Sequence, residues 1–219
     1  MSTRVATVSM LSMIALAFLV ALLLYPQMPD PMPSHWNAAG EVDGYMAKSW
    51  GLFLMPLLAV GVFLLFLAIP KIDPLKANIA EFSRAYNLMM VLLIAYLLYV
   101  YALTLLWALG FQFNMTFMLL PAMGVLFIAI GYLVGKAKRN FFVGIRTPWT
   151  LSSDTVWART HRLGKWIFIG AGVVSILCAF LGEIGFWVFA IAMLLAAFVP
   201  IIYSYILWKQ ENPDQPSDA

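Results

Sequence analysis

The sequence predicts an all-α integral membrane protein. Six transmembrane helices, both termini cytoplasmic, one structured extracellular loop and one cytoplasmic loop with an interfacial amphipathic helix complete the expected architecture. Three observations predict it. Hydrophobic residues make up 63% of the chain and charged residues 11%, against roughly half and a quarter in soluble proteins. Several apolar runs exceed the roughly 18 residues that mark a spanning helix. Lys and Arg fall almost entirely on one side of those runs, as the positive-inside rule requires of a cytoplasmic face.

The first span is read as Val5–Tyr25. Its apolar run is longer than a signal peptide's, and "LLLYPQMPD" offers no small-residue cleavage site, so a retained helix is expected. The outer segment that follows has prolines at 26, 29, 31 and 33, which favour an extended, polyproline-like start. Asn37 to Gly44 then reads as tight turns. The remaining spans are Trp50–Pro70, Tyr86–Leu109, Met115–Gly135, Trp166–Gly182 and Phe186–Trp208. The outer connections "GFQFN" and "GEIG" look too short to contribute much. Residues 1–85 form an expected N-terminal two-helix membrane domain with its extracellular cap loop. Residues 86–208 form a four-helix membrane domain with a distinctive cytoplasmic loop at 136–165, and the polar tail 209–219 is expected to be disordered.

Orientation follows from the cations. With the N-terminus inside, every Lys and Arg except Lys48 is cytoplasmic. No span holds Asp, Glu, Lys, Arg or His in its interior, which argues against a proton relay or a common ion-coupled transporter. There is no H-E-x-x-H and no pair of intramembrane aspartates, which removes two protease types. The single cysteine, Cys178, reads as a small buried hydrophobe. No catalytic residue, cofactor, metal or direct nucleic-acid contact is expected.

Two loops hold most of the polar chemistry. Outside, "MPSHWNAAGEVDGYMAK" gathers His35, Trp36, Asn37, Gly40, Glu41, Asp43, Gly44, Tyr45 and Lys48. His, Asp, Glu and Asn are metal-ligand types, but the spacing lacks the alternating acids and distal Glu of a calcium loop. A folded cap is expected instead, with Asp43 paired to Lys48 and Asn37 and His35 satisfying turn backbone. Such a cap also suits contact with an extracellular ligand.

Inside, Ser152 and Ser153 are good N-caps for a helix over Asp154–Lys165. At 100° per residue Val156, Trp157, Thr160, Leu163 and Gly164 share one side, with Arg159, His161, Arg162 and Lys165 opposite. That is the pattern of a helix in the membrane interface facing anionic lipid. Before it, Asn140 to Thr150 reads as a non-helical pinned turn, because Gly144 and Pro148 resist helix. Arg146 is expected to bind helix-end carbonyls or Asp73, and so to resist exchange for Lys.

These two stretches carry a resemblance. "MPSHWNAAGEVDGYMAK" resembles the external loop of a small membrane domain of unknown function, and "IPKIDP" its inner end. "NFFVGIRTPWTLSSDTVWARTHRLGKW" is similar to the signature of the SdpI-type immunity proteins. The resemblance implies a multi-pass protein of a bacterial or archaeal cell membrane that protects against a secreted killing peptide. It also implies a receptor role, with the toxin outside and a transcriptional repressor held inside. The positions that match its pattern are His35, Asn37, Gly40, Asp43, Gly44 and Lys48 outside, to which Trp36 is added as a ligand-contacting aromatic. Inside they are Asp73, Asn140, Gly144, Arg146, Thr147, Pro148, Trp149, Thr150, Trp157 and His161.

The expected function is therefore immunity to, or sensing of, an antimicrobial peptide or envelope stress, by binding, with membrane lipids as the standing partner. A small-molecule or lipid-linked transporter is the alternative, with Pro56, Pro121 and Pro200 breaking helices near substrate. An interfacial enzyme using His161 or His35 is the weakest reading.

Overall fold

The computed structural model describes residues 1–213. In chain order its elements are α1 (Thr3–Leu24), β1 (Met32–Trp36), β2 (Val42–Met46), α2 (Lys48–Ile72), α3 (Lys76–Glu81), α4 (Ser83–Ala108), α5 (Met115–Val134), α6 (Pro148–Ser152), α7 (Asp154–Cys178) and α8 (Gly182–Glu211). The long helices are the apolar runs, as lipid demands: a helix satisfies its backbone internally where no water can. Large apolar side chains such as Leu16, Leu64, Ile191, Leu194 and Phe198 are exposed along them. That surface would drive aggregation in water and is an ordinary outer surface in lipid. The protein is an all-α, multi-pass membrane protein with one small hairpin added.

Helix α1 begins at Ser2, whose Oγ accepts the Val5 N–H. It buries Ala6, Met10, Ile14, Ala17 and Ala21, one stripe at three- and four-residue steps. α4 packs against α1 and α2 on one side and touches α5 on the other, while α5, α7 and α8 pack together. The α5–α7 contact is very close. A Cβ added at Gly124 would lie 2.5 Å from the Gly172 carbonyl oxygen, and one at Gly172 the same distance from that of Gly124. Small residues allow this approach between membrane helices.

Among the described residues five helical stretches are long and apolar enough to cross a membrane; the last, Asp154–Glu211, has 58 residues. It is a hairpin. A short 3₁₀ turn at Ala179–Leu181 separates α7 from α8, and Gly182 takes φ +60°. Ser153, the N-cap of α7, donates to Glu211 at the far end of α8. The two helices therefore run side by side in opposite directions.

Several expectations are corrected. The outer loop is neither polyproline-like nor a run of turns: β1 and β2 pair antiparallel, leaving a turn over residues 38–39. The expected helix over Asp154–Lys165 is the start of α7, which runs on unbroken to Cys178, but its His161 is buried rather than on the basic face. Pro148 does not block helix; it occupies the first turn of α6, where its missing N–H costs nothing. α8 runs on to Glu211, so the first residues of the supposed tail are helical, and 214–219 lie outside the described residues. Pro56, Pro121 and Pro200 all sit inside continuous helices, so the breaks expected of a transporter are not there. Near Pro121 the Met118 carbonyl accepts Tyr99 O–H and that of Leu120 accepts Ser175 O–H.

Candidate functional site

The inner loop is organised by Asn140, which is wholly buried. Its Nδ2 donates to the carbonyls of Lys138 (2.7 Å) and Val143 (2.9 Å). Its Oδ1 accepts from the backbone N–H groups of Phe142 (2.9 Å) and Val143 (2.6 Å). All four bonds of a side-chain amide are thus made within one turn, leaving none to find elsewhere. Arg146 plays a smaller part than expected. It is exposed, and among the described residues its Nη1 donates only to the Phe141 carbonyl at 2.6 Å. Asp73, buried to 2% exposure, takes no arginine. Its two oxygens accept Leu75 N–H at 2.6 Å and Phe141 N–H at 2.9 Å. With Asn78 Nδ2 donating to the Arg139 carbonyl at 2.7 Å, the segment after α2 holds the loop from below.

Gly144, at φ +114°, lets the chain turn back onto α7; a Cβ there would collide with His161 Nε2. His161 is buried, not on the basic face. It follows Trp157 by four residues and so shares that side, stacked on the indole at 3.9 Å. Its Nδ1 lies 2.8 Å from the Trp157 carbonyl and its Nε2 accepts Ile145 N–H at 3.1 Å. That fixes a neutral ring with the proton on Nδ1 and leaves neither nitrogen for a substrate. Trp157 Nε1 donates to Ala137 at 2.9 Å, tying the loop's start to α7.

Thr147 and Thr150 cap α6 reciprocally: Thr150 N–H reaches Thr147 Oγ1 at 3.1 Å and Thr147 N–H reaches Thr150 Oγ1 at 2.9 Å. This capping box is joined to α8. Thr147 Oγ1 lies 3.0 Å from Ser204 Oγ, Ser204 donates to Ile201, and Trp149 packs on Tyr205 with ring centres 5.0 Å apart. Ser204 was not legible as a site residue; nothing distinguishes it from any serine in an apolar helix. Arg139 was also missed as a pin. Its Nη1 donates to Leu151 and its Nε stands 2.9 Å from Asp154 Oδ1, an ionic contact rather than an aligned hydrogen bond.

The outer cap is a second constellation. His35 Nδ1 meets Asp43 Oδ1 at 2.5 Å across the strands, so Asp43 is paired with His35 and not with Lys48. Lys48 instead places its ammonium 4.7 Å from the Tyr25 ring centre, and its N–H reaches Asp30 Oδ1 at 3.2 Å. Asn37 does satisfy the turn: its Oδ1 accepts Glu41 N–H and its Nδ2 reaches Glu41 Oε2. A Cβ on Gly44 would lie 2.9 Å from His35 Cβ. Trp36 meets Trp107 edge to face. Among the described residues no group of three or more His, Cys, Asp or Glu is gathered as a metal site would need. The short connection "GFQFN" proves structural. Asn114 caps α5 by accepting Phe117 N–H and donates to Ala39 O at 2.7 Å, and Thr116 donates to Ala38 O at 3.2 Å. Gly40 leaves room for that docking, since a Cβ there would sit 2.6 Å from Asn114 Oδ1. The N-cap type of Asn114 was readable from sequence; its second role was not.

Most of both constellations falls within stretches that match known families, with Asp73, Asn78, Asn114, Thr116 and Tyr205 outside them. Residues 136–204 match the SdpI/YfhL protein family, and residues 13–60 match a domain of unknown function, DUF1648. Over 200 residues the chain is 28% identical to a Bacillus subtilis (strain 168) protein named Immunity protein SdpI, covering 91% of this chain and 94% of that one. No solved structure matches. The stretch similar to that family opens at Lys136, where the inner loop begins, and closes at Ser204, the hydroxyl to which Thr147 is joined.

Proposed function

We propose that this protein is a membrane immunity protein that binds a secreted antimicrobial peptide, or senses it as envelope stress, at the outer cap and without chemical turnover. It crosses the membrane six times, the Asp154–Glu211 hairpin counting twice, with both termini cytoplasmic. Residues 1–85 supply the cap, residues 86–208 the inner loop, and the inner loop is the face offered to a cytoplasmic partner such as a repressor. The observation that carries this reading is the cap itself. Its turn is fastened to Asn114 and Thr116, while the His35–Asp43 pair and Tyr45 face outward. A held scaffold with a free polar and aromatic face suits peptide recognition. The shared length with Immunity protein SdpI supports immunity as the biological role. Binding without turnover is favoured because His161, the buried histidine, has both nitrogens bonded to backbone.

The test is protection of Bacillus subtilis cells lacking their own immunity protein and challenged with the killing peptide. Expression of this chain restores growth, and His35→Ala and Asp43→Asn each reduce protection at unchanged membrane abundance. If both variants protect like the parent, the cap is not the recognition surface. Orientation is checked in a Cys178→Ala background. Asp43→Cys reacts with an impermeant maleimide in intact cells, whereas Arg146→Cys reacts only after permeabilisation; the reverse pattern overturns the topology.

A further inference from the structure

A cleft of about 590 Å³ opens where α5 ends and α7 begins. Five cations line it: Lys136, Lys138, Arg139, Arg162 and Lys165. The one carboxylate in its lining, Asp154, is taken by Arg139, and Glu81 approaches Lys138 at 3.7 Å. Among the described residues Lys136, Arg162 and Lys165 have no carboxylate within 4.0 Å. A topology signal explains why these cations share a side of the membrane. It does not explain why residues from two separate elements converge on one concavity, where their mutual repulsion opposes folding.

The cleft also has a defined depth. Trp166 borders it, is 62% exposed, and carries the Lys165 ammonium 4.5 Å from its ring centre. It stands at the start of α7's apolar run. Tryptophans in that position settle at headgroup level, which puts the cleft beside lipid phosphates.

We propose that this cleft binds a phosphate-ester anion presented as the headgroup of an anionic phospholipid, with Lys136, Arg162 and Lys165 as its principal contacts. Arginine supplies a planar fork for phosphate oxygens and the lysines supply point charge. The proposal is independent of the immunity reading: it concerns a lipid on the inner-loop side, not a peptide at the cap.

The experiment is a titration of the purified full-length protein in nonionic detergent, followed by thermal unfolding. Phosphatidylglycerol is compared with zwitterionic phosphatidylcholine, and soluble glycerol phosphate is titrated separately. Phosphatidylglycerol is expected to raise the unfolding temperature saturably and phosphatidylcholine much less. At about fivefold per basic residue, Lys136→Gln with Arg162→Gln weakens the apparent affinity by about 25-fold. Arg159→Gln removes a charge from the same helix outside the cleft and changes it by less than about twofold. Glycerol phosphate reproducing the effect with the same variant dependence supports the phosphate site and identifies its source as soluble. Equal losses in the Arg159 variant, or full retention in the double variant, overturn the proposal. Both variants alter exposed side chains with no side-chain hydrogen bond among the described residues, so their unliganded unfolding temperatures serve as the folding control.

Discussion

Arg139 and Arg146 belong to the same basic loop and do different work. Arg146 makes one hydrogen bond at the surface, so Arg146→Lys should change stability by less than about 0.5 kcal/mol. Arg139 joins Leu151 and Asp154 with two different nitrogens of one guanidinium, a geometry lysine cannot copy. Because Asp154 is largely exposed, its share is discounted, and Arg139→Lys should cost about 1 kcal/mol. Thermal unfolding of the two variants side by side decides the order. Sequence pointed the other way because Arg146 stands inside a distinctive R-T-P-W motif, while Arg139 ends an unremarkable basic run; only the fold shows which one bends inward. His161 gives a second residue-scale expectation. It lies in the polar first turns of α7, ahead of the apolar run, and burial pushes its pKa down to about 4, partly opposed by the Trp157 carbonyl. An unfolded histidine titrates near 6.5. Below that pH the unfolded chain takes up a proton the folded one refuses, so stability falls as pH drops from about 7 towards about 4, and this contribution is flat above. Unfolding temperatures measured across that range should show the fall. His161→Gln should flatten it, and an unchanged slope would assign it to another group.

At the scale of elements, the helices were legible because length and unbroken apolarity are strong signals, and their observed limits differ from the expected ones by a few residues at most ends. The outer hairpin was not. Its two five-residue strands contain a proline, a histidine and a glycine and show no apolar alternation. The cap is held from outside, by Asn114 and Thr116 on its turn. The facing of the interfacial helix was misjudged for a related reason. The basic turns of α7 have a genuine packing face, but it receives the loop through Trp157, His161 and Gly164 and not the membrane surface. One helix feature invites a direct test. Pro70 deprives the Phe66 carbonyl of its usual partner four residues on, and the Tyr86 hydroxyl of α4 donates to it at 3.1 Å. Tyr86→Phe removes that donor while keeping the ring stacked on Phe66. A loss of about 1–2 kcal/mol is expected in detergent unfolding; no loss would mean the carbonyl finds another partner.

For the molecule as a whole, composition and charge asymmetry were enough to place it in the membrane, and two polar loops were enough to locate where its chemistry gathers. How those loops connect the two parts of the chain could not be read, since each link is a single amide, hydroxyl or carboxylate meeting backbone from far away in sequence. The links lie at both ends. Asn114 and Thr116 hold the cap's Ala39 and Ala38 on one side. Asp73 and Asn78 hold Phe141 and Arg139 on the other. Between them α4 reaches α5 through Tyr99 and Met118. The covalent connection from α4 to α5 is therefore a short, open stretch whose Gly110, at φ +98°, has nothing crowded against it. A chain tied to itself above and below does not need that stretch to stay whole. Residues 1–111 and 112–219, made as two separate polypeptides in one cell, should find each other and purify as a pair through a tag on either one. Asp73→Ala with Asn114→Ala should release the untagged partner far more readily than it destabilises the intact protein, because in the divided molecule no covalent link backs up the contacts that remain.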